Sequence, residues 1–194
     1  MYRAAPDEAD SPRLPRALGP FPFILSLMSA PIPVIHLRRT LRADLPTLFH
    51  MQSDPVANAL AGTKPRDRAA FDARWEEILR DPPPTPPNPP TGVTPRVIIA
   101  DGHLVGAINI FPQEDTDSIG YWIDREHWGR GIATRAIALL IEEVPVRPLF
   151  ARVAVHNAAS LRALQRNGFV IAGRRHTPAT ERYVESETVV LTLA

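Results

Sequence analysis

The sequence predicts an α+β fold in which a mixed, mostly antiparallel central sheet of about seven strands is flanked by about four helices. Three observations lead there. Asp101-Gly102 separates two β-rich runs, Arg96 to Ala100 and His103 to Phe111, and such a pair suits a tight turn that needs positive φ. Stretches with apolar residues at helical spacing lie between strand-like runs rather than after all of them. The 194 residues, 44% hydrophobic and 22% charged, fill one sizeable core but hardly two.

Residues 1–30 are expected to form a disordered N-terminal extension. Arg13 and Arg16 before the apolar run Phe23 to Ala30 imitate a secretory leader, yet Asp7, Glu8, Asp10 and the prolines at 15, 20 and 22 break the pattern a leader needs. Regular structure begins near Val34, so Met28 is the expected biological start, and residues 31–194 the expected single domain. Val34 to Leu41 mixes alternation with β-branched residues and reads as a first strand. Asp44 then stands where it can cap a helix running to about Ser53. Within Asp67 to Leu79 the residues Phe71, Trp75, Ile78 and Leu79 make one apolar stripe, which puts Trp75 in the core rather than on a stacking platform. Residues 82–95 are Pro-rich and read as an extended connecting loop, the alternative being a ligand for a partner's aromatic groove. After the hairpin come a strand at Asp117 to Asp124, a helix at Ile132 to Val144 stopped by Pro145, and a strand at Leu149 to Val155. A helix at Ala158 to Asn167 and strands at Phe169 to His176 and Glu187 to Leu193 complete the order.

Composition removes several function classes. A formal net charge of +1, from 22 basic and 21 acidic residues, gives no field suited to a nucleic-acid backbone. With no cysteine there is no disulfide, thiolate metal site or cysteine nucleophile. His127, His156 and His176 lack metal-ligand spacing, so no metal is assigned. No apolar run approaches the roughly 20 residues that cross a bilayer. A soluble, cytoplasmic protein without nucleic-acid or membrane partners is expected, as monomer or homodimer.

The chemistry concentrates between Asp117 and Phe169. After the strand, Arg125 to Trp128 leads to Gly129-Arg130-Gly131, and Ile132, Ala133 and Thr134 open a helix. Glycines let backbone approach a ligand, and the unpaired amides of a helix N-terminus point at it with the positive end of the dipole. A pyrophosphate suits that place, although a glycine pair alone is equally a tight turn. The Walker loop requires Gly-Lys-Ser/Thr, and the dinucleotide loop a third glycine where Thr134 stands. Downstream, His156-Asn157 ends a strand, Ser160 lies in the next helix, and Asn167-Gly168 stops it.

Strand, glycine loop, helix, strand, Asn, helix and Gly-Phe, with Gly-Tyr-Trp-Ile at 120–123 and Trp-Gly-Arg-Gly-Ile-Ala-Thr at 128–134, together resemble the GNAT acetyltransferases, in particular the ribosomal-protein N-terminal alanine acetyltransferase branch. The resemblance covers residues 117–169 strongly, 34–111 more loosely, and nothing before Met28. It implies central strands that splay apart to admit the pantetheine arm of acetyl-CoA. Main-chain groups near Trp122 and Ile123 would bind the arm and polarise the thioester, and the amides of Gly129 to Thr134 would hold the pyrophosphate. Arg130 either adds a charged contact or is a solvated loop residue. Trp128 stands where the superfamily usually has Gln or Arg, losing a polar contact. Asn157 either binds the arm or merely caps the helix.

The resemblance also implies two proton-handling roles. Leu164 stands where many relatives carry a tyrosine acid, so that acid is missing. Ser160 is the polar residue expected near the sulfur, donating directly or ordering a water, unless it is only a first-turn serine. Asp117 would take the amine proton through water, or is simply a solvated strand end. The resulting expectation is direct transfer of acetyl from acetyl-CoA to a primary amine, a protein N-terminus or a small molecule, with acceptor contacts from residues 41–81 and the C-terminal hairpin. The competing reading is a non-catalytic acyl-CoA-binding sensor or scaffold.

Overall fold

The computed structural model describes residues 33–80 and 93–194. The expected disordered extension, the Met28 start and most of the Pro-rich loop lie outside the described residues. Seven strands run as β1 (Ile35–Arg39), β2 (Thr94–Ala100), β3 (His103–Gln113), β4 (Thr116–Ile123), β5 (Leu149–Ala154), β6 (Val170–Thr177) and β7 (Ser186–Leu193). The α-helices are α1 (Leu45–Gln52), α2 (Pro55–Ala61), α3 (Arg68–Arg80), α4 (Ile132–Glu143) and α5 (Ala158–Gln165). The strands form one sheet in the order β1-β2-β3-β4-β5-β7-β6. Every neighbouring pair is antiparallel except β4 and β5, which are parallel. The expected mixed, mostly antiparallel sheet is present.

The β2–β3 turn is Asp101-Gly102, both at positive φ, as the sequence indicates. Strand β2 begins at Thr94 and so takes in the last two residues of the stretch read as loop. Pro95 is tolerated because it lies just past the β1 ladder, which ends at Arg39 opposite Arg96, and on that side only its carbonyl is used, accepting the Thr40 amide (3.4 Å). The β3–β4 turn, Glu114-Asp115, also has positive φ at both residues. Without glycine there, the sequence did not announce a two-residue turn; β3 runs two residues past Phe111, and β4 starts one residue before Asp117 and ends one before Asp124.

Alternation splits the core into two layers. Ile98 and Ala100 join Ile119, Ile123, Ile137, Leu140, Leu149 and Leu164 under α4 and α5. Val97 and Ile99 face the other way, onto Leu48 and Met51 of α1 and Phe71 and Trp75 of α3. Phe71 and Trp75 are buried, so the α3 stripe is core as read. Helix α4 buries Ile132, Ala136, Ile137 and Leu140, one face of a 3.6-residue period. Each fully buried Ile or Leu contributes about 1.5–3 kcal/mol relative to exposure.

Helix α2 is an addition to the expected set. Asp54 caps it, Oδ1 accepting the amides of Val56 (2.8 Å) and Ala57 (3.0 Å), Pro55 stands in its first turn and Gly62 ends it at positive φ. Asp44 does occupy the N-cap position of α1, but its carboxylate makes no cap bond there. It turns back to accept the Leu41 amide (2.8 Å) and the two-pronged Arg38 guanidinium (2.7 and 2.8 Å).

Candidate acetyl-CoA site

Strands β4 and β5 share only two rungs, Asp117 with Leu149 and Ser118 with Phe150. Past Ser118 each is held on its outer side alone, β4 by β3 as far as Ile123 and β5 by β7 as far as Ala154. The parallel pair therefore opens into a wedge. A cavity of about 750 Å³ fills it, walled by Ile119 to Ile123 of β4 and Ala151 to Ala154 of β5. It reaches both sheet faces, touching Thr134, Ser160 and Leu164 on one and Arg152, Ser186 and Thr188 on the other.

The glycine loop closes one end. Gly129 and Gly131 have φ of 75° and 74°, and a Cβ on either would meet nothing within 4 Å. They are glycines for backbone conformation, not for lack of room. The first intrahelical bond of α4 runs from the Arg135 amide to the Gly131 carbonyl (3.1 Å), so the amides of Ile132, Ala133 and Thr134 are first-turn donors without an intrahelical acceptor. All three residues line the cavity with Gly129 and Gly131. This donor array fits a diphosphate.

Two tryptophans fix the loop and the strand. Trp128 donates its indole N–H to the Ile123 carbonyl at 2.9 Å, tying the glycine loop to the end of β4. The polar contact that the sequence counted as lost is thus spent inward on positioning, and one lone pair of Ile123 is committed. Trp122 donates to the Met51 carbonyl at 2.9 Å, at the end of α1, where the Asp54 amide also bonds (3.3 Å). Asn167 donates to the Thr134 carbonyl (3.0 Å) and to Ala163 (2.8 Å), locking α5 against the first turn of α4.

Asn157 caps α5, its Oδ1 accepting the Ser160 amide at 3.1 Å, and it also lines the cavity, so both readings of it are compatible. Ser160 lies 2.5 Å, Oγ to Oη, from Tyr121, which reaches across the wedge from β4. Burial pushes the Tyr121 phenol up to about 12, with the Ser160 bond opposing the shift. Tyr121 was quoted in the sequence only as part of a motif. Its contact with Ser160 spans 39 positions and has no local signal. Two expected residues stand apart: neither Asp117 nor Arg130 lines the cavity. Asp117 sits at the closed end of the wedge, where burial raises its pKa.

Helix α2 lines the cavity through Ala57 and Leu60, and Arg125, at the start of the glycine loop, pairs with Asp54 at 2.9 Å. Its signal was present in the sequence as Asp54-Pro55 with Gly62 following, a cap, a first-turn proline and a stop. A β-bridge between Thr63 and Tyr183 brings the segment 178–184 over the same side. The expected sources of acceptor contacts, the 41–81 region and the C-terminal hairpin, both reach the cavity.

Comparison with known proteins agrees with this geometry. The acetyltransferase (GNAT) domain family matches residues 35–170. The chain belongs to the GNAT acetyltransferase family. Over 84 residues it is 33% identical to the ribosomal-protein-serine acetyltransferase of Escherichia coli K12, a match covering 40% of this chain and 47% of that protein. The chain thus spans about half the length of that relative. A ribosomal-protein-alanine N-acetyltransferase from Brucella melitensis superposes with a TM-score of 0.64 at 24% identity, covering 81% of this chain and 98% of the other. A spermidine N-acetyltransferase from Vibrio cholerae, solved with CoA and spermine, gives 0.64 at 15% identity, covering 81% and 95%. These structures share the GNAT fold. No helix among the described residues is long and apolar enough to cross a membrane.

Proposed function

We propose that this GNAT protein transfers acetyl from acetyl-CoA to a primary amine by direct attack on the thioester. The observation that carries the reading is the β4–β5 wedge, open past Ser118 and ending on the donor array of the glycine loop. The amides of Gly129 to Thr134 hold the diphosphate, and the free edges of β4 and β5 receive the arm in place of a strand partner. Bound acetyl-CoA supplies an activated acyl group on a thiol leaving group.

Ser160 and Tyr121 act as a pair. Tyr121, protonated across the physiological range, donates to Ser160, which leaves the serine proton to point at the departing sulfur. Neither hydroxyl is acidic enough to surrender its proton outright to a thiolate, whose acid has a pKa near 8.5. They stabilise developing charge as donors and relay the proton that the attacking amine sheds. Asp117, outside the cavity wall, acts at most through solvent. An α-amine, with a pKa near 8 against about 10.4 for lysine, asks least of such a site. Protein N-termini and small α-amines are therefore the proposed acceptors.

The test is purified protein with acetyl-CoA and a panel of peptides and small amines, reading CoA release and acetylated product by mass spectrometry. Turnover on α-amines is expected. Acetyl-CoA binding with no turnover on any acceptor would assign the chain to the non-catalytic sensor class instead.

A further inference from the structure

The acceptor side of the cavity carries a charge arrangement that constrains what it receives. Leu149, Ala151 and Val153 of β5 face the α4/α5 layer, so Arg152 projects to the opposite face. Register places Arg175 of β6 opposite Thr188 of β7, itself opposite Ala154, beside Arg152 on that face. Both guanidinium groups converge on Glu114 in the β3–β4 turn. Arg152 binds its two oxygens at 2.9 and 2.6 Å, and Arg175 adds a bond of 2.9 Å.

Glu114 is the one carboxylate among the described residues that line the cavity. The hydrogen bonds from Arg152, then Arg175, bring its pKa down to about 2. It is a poor base and is already occupied, so it offers little to an incoming ammonium. Arg182, in the segment 178–184, also lines the cavity. Its guanidinium donates to the Lys64 carbonyl, and no carboxylate pairs with it among the described residues. Burial, then the neighbouring Arg66, brings its pKa down to about 10. A part-buried guanidinium without a counter-ion is costly unless an anion arrives to meet it.

We propose that the acceptor is an amine bearing a carboxylate or phosphate near the reacting nitrogen, the acidic group being held by Arg175 and Arg182. This rests on the acetyltransferase reading above. The wall does two things at once. It attracts the acidic group, and it disfavours the ammonium form of the adjacent amine, so the neutral nucleophile is more populated without a dedicated base. Glu114 spaces the guanidinium groups instead of receiving the amine. Cationic acceptors such as polyamines meet like charge.

Acceptor pairs differing only in charge test this. Peptides with one N-terminal residue followed by Asp or Lys, an amino acid against its amide, a phosphorylated amine against its alcohol, and spermidine are compared by kcat/KM. Acidic members are expected to exceed their partners by at least about tenfold, with the gap narrowing as salt rises. The phosphate and carboxylate arms decide which acid is preferred. Arg175→Gln and Arg182→Gln are each expected to raise KM for the acidic acceptor about fivefold or more, with acetyl-CoA Kd and melting temperature as controls on folding. Equal or better turnover of cationic acceptors would overturn the inference and leave the transferase reading standing. So would collapse of activity in Glu114→Gln with both arginine variants silent, since Glu114 would then be the ammonium receiver. No turnover with any amine would sink the transferase reading itself, and this inference with it.

Discussion

Ser160, Tyr121 and Gly131 concentrate the residue-level consequences. Replacing Ser160 with Ala removes the hydroxyl proposed to donate to the sulfur but leaves the first-turn amides of α4 in place. The expected result is a fall in kcat of about tenfold or more with nearly unchanged acetyl-CoA affinity, read by steady-state kinetics and calorimetry. Tyr121→Phe should lower kcat less than Ser160→Ala, and the double variant should fall little below Ser160→Ala alone, because the two hydroxyls share one task. Gly131→Asp places a charged side chain at a left-handed position where the phosphate is proposed to lie, and should weaken acetyl-CoA binding by at least about tenfold, or 1.4 kcal/mol. Wild-type binding by that variant would contradict the diphosphate site. The left-handed glycines were legible along the chain because a loop entering a helix is a local signal, and Ser160 was singled out through the family resemblance. Tyr121, Glu114, Arg152 and Arg175 could not, since each gains its role from a partner that only the fold brings near.

Among the elements, α1 and α2 show how the same residue type reads differently in three dimensions. Asp54 is a helix cap as its sequence context suggests, whereas Asp44 stands at a cap position and spends its carboxylate on Arg38 and Leu41. The Arg38 bonds, with help from Leu41, hold Asp44 below its ordinary 3.8 despite burial. A lowered carboxylate stabilises the fold above its unfolded pKa and loses that contribution as pH falls toward the folded value. Asp44→Asn should therefore cost on the order of 2 kcal/mol near pH 7, with the difference from wild type shrinking below about pH 4 in urea titrations. Asp54→Ala should lower the melting temperature through the lost cap and, since α2 walls the cavity, raise KM for the acceptor. The strands after residue 94 were legible because hairpin chemistry and alternation are short-range signals. Helix α2 carries a visible cap, proline and glycine but no periodic signal, because seven residues are too few to establish a period.

For the molecule as a whole, the sequence indicated the fold class and the family resemblance implied the splayed central strands, but the seating of β7 between β5 and β6 depends on pairing between distant residues. Stability should also carry the mark of the site. Because Tyr121 titrates near 12 when folded and 10 when free, its contribution is intact below about pH 10 and is lost as pH rises through the folded value. Wild type should lose stability relative to Tyr121→Phe across that alkaline window. The divided sheet has one more consequence. Amides of β4 beyond Ser118 that face the wedge have no strand to protect them, so deuterium should replace their hydrogens far faster than those bonded to β3. Adding acetyl-CoA should slow that exchange selectively, because the ligand would act as the missing eighth strand, stitching the halves β1–β4 and β5–β7 into a continuous ladder.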